Sequence, residues 1–230
     1  MMEEPVSPAA ARYPVAFDVE PQPANRNRLT VAFRFILGIP QGLLVGGPGG
    51  SGISFPLDWR GPGMNLRAIL FVGGGGGVIG LAAWVMAVIS WFAIVFTGRQ
   101  PRGLWDFTNF FMRWRANAVA YMALLRDEYP PFGPGDGSYP VSFSVAGFPD
   151  SRDRLSVALR LIYAIPQFIA LFFLGIAWGI TVIIAWFAIL FTGRYPEGLY
   201  MFGVGYMRWS IRVQAYVLLM RDEYPPFSLD

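Results

Sequence analysis

Trp91-Phe92-Ala93-Ile94-Val95-Phe96-Thr97-Gly98-Arg99 returns, with one Val-to-Leu change, as Trp186-Phe187-Ala188-Ile189-Leu190-Phe191-Thr192-Gly193-Arg194. The repetition extends outward from this block. Downstream, Arg126-Asp127-Glu128-Tyr129-Pro130-Pro131-Phe132 recurs unchanged as Arg221 to Phe227. Upstream, Tyr13-Pro14-Val15 recurs as Tyr139-Pro140-Val141 and Ile39-Pro40-Gln41 as Ile165-Pro166-Gln167. The upstream blocks lie 126 residues apart and the downstream ones 95, so the first copy carries 31 extra residues in its middle. A tandem duplication therefore sets the architecture. The copies are residues 13–132 and 139–227, with a disordered tail at 1–12, a linker at 133–138 and an insertion at about 46–77 of copy one.

Composition places these copies in a membrane. Hydrophobic residues make up 54% of the chain and charged residues 14%, with a mean hydropathy of +0.43, which is too apolar for an ordinary soluble domain. From Leu155 to Thr192 the sole charge is Arg160, and from Ala68 to Phe96 there is none. Since one span needs about 20 apolar residues, the former stretch reads as two spans. The polar, acidic start (Glu3, Glu4) has no apolar core of a cleavable leader, so the first span is expected to direct insertion.

The expected fold is mainly α. It is a polytopic, tandem two-repeat membrane protein with about four transmembrane helices, two interfacial amphipathic helices and short β segments. The spans read as Leu29 to Val45, Gly77 to Phe96, Leu155 to Leu174 and Gly175 to Phe191. Period-two alternation at Tyr13 to Val19 and Tyr139 to Val145 predicts strands. Placing both turns between spans outside leaves Arg60 and Arg67 there and the other 16 arginines inside, so both termini are expected in the cytoplasm. Pro40 and Pro166 allow the first helix of each copy to be kinked or re-entrant instead.

The third helix of each copy, near Leu104 to Leu125 and Leu199 to Met220, is the most regular. Phe107, Phe111, Trp114, Ala118, Tyr121 and Leu125 form one face, repeated as Phe202, Tyr206, Trp209, Val213, Tyr216 and Met220. Asn109, Arg113 and Asn117 lie opposite in copy one, and Arg208 and Arg212 in copy two. Aromatics against arginines describe a helix in the headgroup region, or one whose aromatic stripe packs on the protein's own spans.

These motifs together resemble a bacterial uncharacterised-domain family, the one numbered 4389: Tyr-Pro-Val, an Arg-Leu helix closing on Ile-Pro-Gln, Trp-Phe-Ala-Ile-x-Phe-Thr-Gly-Arg-x-Pro, Arg-Trp, and Asp-Glu-Tyr-Pro-Pro-Phe. The resemblance covers both copies and implies a bacterial inner-membrane protein, which the apolar spans make an expected multi-pass one. It brings no activity, ligand or catalytic residue with it.

Chemistry is constrained by what is missing. The chain has no Cys, no His and no lysine, so thiolate nucleophiles, haem histidines and His/Cys zinc sites are excluded and no cofactor is expected. A phosphate-binding loop of the P-loop type needs a lysine, so Gly46-Gly47-Pro48-Gly49-Gly50 and Gly73 to Gly77 read as a flexible outer loop, with Pro48 to Gly63 as a lid or partner contact anchored by Trp59. Arg34 and Arg160, five residues into their helices, read as snorkelling to lipid phosphate. Gln41 and Gln167 are candidate intramembrane polar groups beside the kinking prolines. Arg113, Trp114, Arg208, Trp209 and Arg212 are, with Arg34 and Arg160, candidate contacts to anionic headgroups or a partner. The Asp127-Glu128 and Asp222-Glu223 pairs read as partners of neighbouring arginines such as Arg113, Arg208 or Arg212 more than as a metal or base site. The leading functional expectation is a non-enzymatic accessory, scaffold or lipid-interacting subunit, with a membrane-protein partner or homo-oligomer and no nucleic acid. Its alternatives are a small channel or carrier built from two parallel repeats and, behind it, a lipid-modifying enzyme.

Overall fold

A computed structural model describes residues 13–22, 24–47, 54–61, 64–71, 77–149 and 151–230, with the backbone alone for 54–61 and 64–71. The tail 1–12, the contact expected of Trp59 and most of the two glycine runs lie outside the described residues.

Copy two shows the unit in its simplest form. A short helix α6 (Arg154–Ala158), capped by the Asp153 carboxylate accepting from the Leu155 N–H, leads into α7 (Arg160–Thr192). At 33 residues and 1.5 Å per residue, α7 is about 50 Å long. The two spans expected at 155–174 and 175–191 are thus one helix with no turn between them. Pro166 is accommodated inside it. Gly175, the expected break, stays helical, and its missing side chain makes room for Tyr206: a Cβ there would lie 2.9 Å from the phenol oxygen. Gly193, at φ 71°, supplies the left-handed residue that ends α7.

Copy one rebuilds the same helix in pieces. α1 (Arg28–Ala32), capped by Asn27, is followed by α2 (Arg34–Leu37) and α3 (Ile39–Val45). An antiparallel hairpin, β2 (Ser54–Gly61) and β3 (Met64–Phe71), comes next, then α4 (Gly77–Thr97). Residues 34–45 correspond to 160–171 and residues 77–97 to 172–192, so the insertion interrupts a helix that copy two keeps whole. Gly77, at φ +60°, abuts the last turn of α3, where a Cβ would come within 2.5 Å of the Leu43 oxygen and of Leu44.

The two long helices run antiparallel. Near the C-terminal end of α4, the Trp91 indole donates to the Val157 carbonyl at 2.9 Å, beside the start of α7. The Trp186 indole, near the end of α7, donates to Val31 at 3.0 Å, and the Arg26 N–H to Gly193 at 3.1 Å. With the ends of α7 about 50 Å apart, the copy-one helix satisfies these contacts by lying alongside it in reverse.

Three layers result. The long helices form the first. α5 (Arg102–Met122) and α8 (Glu197–Val217) form the second and are buried along much of their length. β1 (Val15–Val19) and β4 (Val141–Val145) form the third, an antiparallel pair with Phe17 opposite its own equivalent, Phe143. The pseudo-two-fold axis passes through that pair, perpendicular to the strands and to the long helices. Each strand serves the other copy: β1 packs on α8 and β4 on α5. The Tyr13 hydroxyl donates to the Glu223 carbonyl at 3.1 Å, and that of Tyr139 to Glu128 at 2.9 Å.

The long helices bury a single stripe. On α7 it comprises Arg160, Ala164, Gln167, Trp178, Ala185 and Ile189, while Phe173, Ile180, Ile183 and Phe191 stand exposed. Two helices, α4 and α7, are long and apolar enough to cross a membrane. The other two expected spans are absent as such among the described residues, one being the segmented run α1–α3 and the other the second half of α7. α5 and α8 are core helices of this fold, lying between the long helices and the sheet.

Candidate functional site

The retained polar residues converge on two equivalent nodes. In copy one the end of α5 places Leu124 at φ 63°, which turns backbone carbonyls toward the protein interior. Arg34 donates to the carbonyls of Tyr121 (3.2 Å) and Arg126 (2.7 Å) and to Oδ1 of Asp127 (2.8 Å). Its guanidinium lies 3.9 Å from the centre of the Tyr121 ring. Arg26 closes the node on Asp127 at 2.9 Å and on the carbonyls of Leu124 and Leu125. In copy two Leu219, at φ 62°, sets the same turn. Arg160 meets the Tyr216 carbonyl, the Tyr216 ring and Asp222, and Arg152 meets Asp222 at 3.3 Å and the Leu219 carbonyl at 2.6 Å.

These nodes revise the reading of Arg34 and Arg160. Both are 1% exposed, with guanidinium groups held inside the protein instead of reaching lipid phosphate. Desolvation is the main influence on the outer pair of arginines. It lowers Arg26, against the pull of Asp127, and lowers Arg152 to about 10, against Asp222.

The adjacent acids are equally committed. Arg126 donates through both Nε and Nη2 to Glu128, and Arg221 does the same to Glu223. Partial burial, the largest single influence, would raise the Glu128 carboxyl, but the Arg126 hydrogen bonds, the backbone N–H groups of Glu128 and Asp127 and the Arg126 charge together leave the group below its ordinary range. Among the described residues no group of three or more His, Cys, Asp or Glu side chains could hold a metal ion.

Gln41 and Gln167 are wholly buried. Each accepts an indole N–H at 2.7 Å, from Trp114 and Trp209 respectively, and donates to a proline carbonyl, that of Pro130 or Pro225. The clasp pins the Pro-Pro segment of each closing block between two helices. Trp114 and Trp209 are thereby core residues instead of lipid contacts. Arg208 donates to the Phe17 carbonyl and to Asp18 on β1, and Arg212 lies 5.9 Å from the Tyr13 ring. Arg113 is exposed and lines a polar cleft of about 570 Å³ with Asp18, Glu20, Asn117, Asp136 and Tyr139.

One buried arginine breaks the symmetry. Arg115 donates to the carbonyls of Val45 and Gly47 and to Oε1 of Gln214, and burial lowers it to about 10. Its equivalent in copy two is Ser210. Arg115 therefore occupies the C-terminal end of α3, where the insertion leaves carbonyls without the next helical turn.

Sequence reasoning missed Arg26, Arg152 and Arg115, and assigned the acids to Arg113, Arg208 and Arg212. For the first two the signal was present, since Arg26 and Arg152 are equivalent and both retained. For Arg115 the signal was its absence from copy two.

Five exposed arginines sit at the ends of the long helices: Arg28 and Arg194 at one end, Arg99, Arg102 and Arg154 at the other. None of them forms an ion pair among the described residues.

A family model described as "Domain of unknown function (DUF4389)" matches residues 66–133 and 154–228. The two segments end at equivalent residues of the two copies, and the first begins inside the insertion. No curated protein and no solved structure matches the chain.

Proposed function

The chain belongs to the DUF4389 family, a domain of unknown function present here in two copies, and on that premise we propose that it is a lipid-engaging accessory or scaffold protein of the bacterial inner membrane, without chemistry of its own. The observation that carries this reading is the apolar surface of the long helices. Within their most apolar windows, 28% of α4 and 11% of α7 is buried inside the protein. A surface of that kind is normally covered by lipid or by a partner. Unpaired arginines at its ends favour anionic headgroups, each worth about 1 kcal/mol near such a surface. The arginines and aspartates of the two nodes and the glutamines of the two clasps, by contrast, are engaged with one another, with indole N–H groups or with backbone carbonyls.

The test is flotation of the purified chain with vesicles of phosphatidylglycerol or of phosphatidylcholine as detergent is withdrawn. The protein is expected to float with both, and to resist salt extraction from the phosphatidylglycerol vesicles more strongly after control than after substitution of Arg28, Arg99, Arg102, Arg154 and Arg194 by Gln. A chain that remains soluble and monomeric without lipid ends this reading.

A further inference from the structure

We propose that the two long helices lie along the plane of one leaflet, with the pseudo-two-fold axis parallel to the membrane normal, instead of crossing the bilayer. The inference rests on the membrane reading above and adds its geometry.

Three observations lead to it. The first is layer order. The exposed apolar surface belongs to the α1–α4 and α7 layer, whereas Asp18, Glu20, Ser142 and Ser144 are exposed on the sheet at the opposite side of α5 and α8. Standing the long helices upright would carry the sheet and its exposed carboxylates, Asp18 beside Arg208 and Glu20 beside Arg126, into the hydrocarbon, where a charge facing lipid is costly. Laying them flat puts the apolar layer in lipid and the sheet in water.

The second is length. α7 is about 50 Å long and the hydrocarbon core about 30 Å thick, so an upright helix would need a steep tilt or a large mismatch.

The third is charge and symmetry. Because the axis is perpendicular to the helices, it carries the Arg28 and Arg194 end onto the Arg99, Arg102 and Arg154 end. Crossing helices would place equivalent arginine clusters on opposite sides of the membrane, against the one-sided distribution of basic residues in membrane proteins. Flat helices place both clusters at one headgroup level, where the arginine stems lie on apolar surface and the guanidiniums meet lipid phosphate. The occupant of the apolar face is thus a single leaflet carrying anionic lipid.

The chain has no cysteine, so single thiols report sidedness without background. Arg102→Cys and Glu197→Cys mark equivalent exposed positions beyond the far ends of the long helices, and Ser144→Cys marks the sheet. Each full-length variant is expressed in cells and exposed to a membrane-impermeant maleimide in intact spheroplasts and in inverted vesicles, with detergent-solubilised protein as the reactivity control. All three are expected to react in inverted vesicles and to lose that labelling in spheroplasts. Reaction of Arg102→Cys and Glu197→Cys from opposite sides would show that the helices cross and overturn the proposal. Protection of both from either side, with reaction in detergent, would overturn it too, because the helix ends would then be covered by a second copy or buried in lipid. Release of the protein by an alkaline carbonate wash would instead remove the membrane reading itself, a failure read in a separate fraction.

Discussion

Among the described residues, Asp127 and Asp222 are each the sole carboxylate paired with two buried arginines. Removing one partner of a buried ion pair typically costs about 3–5 kcal/mol, because the remaining charge is left uncompensated. Asp222→Asn is therefore expected to lower the detergent-solubilised unfolding midpoint sharply, and Asp127→Asn to do the same. A change confined to a catalytic readout, with stability untouched, would point to the acid as a reacting group instead. The glutamine clasp gives a milder case. Gln167→Leu strands the Trp209 indole N–H and the Pro225 carbonyl, at roughly 1–3 kcal/mol. Adding Trp209→Phe should recover part of that loss, and the double-mutant cycle measures how much. The side chains with most influence at this scale are those that both copies kept: arginine, aspartate, glutamine and tryptophan at equivalent positions.

Among the elements, the interrupted helix is the most informative. Arg115 is the partner of the carbonyls exposed where α3 stops. Arg115→Ser, which installs the copy-two residue, is expected to destabilise the full chain by about 1–3 kcal/mol through unpaired carbonyls. Deleting residues 46–76 joins Val45 to Gly77 as Leu171 is joined to Phe172, and in that background the same substitution should become stabilising. The reversal of sign, read by thermal unfolding of the four variants, checks that Arg115 answers the insertion. This element also marks how far the sequence was legible. The offsets of 126 and 95 mark the 31 extra residues of copy one, the charge-free stretches mark the long apolar runs, and the strands and third helices fall within a few residues of their expected bounds. The division of Leu155 to Thr192 into two spans failed because length and hydropathy cannot distinguish two short helices from one long one. Pro166 and Gly175 suggested a break that packing overrode. Arginines at helical spacing likewise reveal a polar face but not whether water, lipid or protein lies against it. That is decided by partners distant in sequence, such as Asp127 for Arg34.

For the whole molecule, stability depends on the copies holding each other. Tyr13 and Tyr139 are the crossed contacts at the sheet. Burial raises both phenols above the ordinary value of 10.0, with Glu223 and Glu128 respectively adding to the effect. A group whose value is raised on folding stabilises fully below its unfolded value and loses that contribution as pH rises through the folded one. Separation of the sheet from the closing blocks is therefore expected above about pH 10, followed by near-ultraviolet dichroism. Tyr13→Phe combined with Tyr139→Phe should flatten that dependence while lowering stability at neutral pH by about 1 kcal/mol per lost hydrogen bond.

The crossing of the strands also bears on ancestry. A lone copy would leave its first strand and opening helix without the surfaces they pack on, so a single-copy chain is expected to self-associate as a symmetric homodimer. Residues 133–230, made alone, should retain that habit and sediment as a dimer. Fusion of the two genes' worth of sequence into one chain released the halves from identity. A change accepted by one half no longer appeared twice, and the hairpin with its attendant Arg115 is the mark of that freedom.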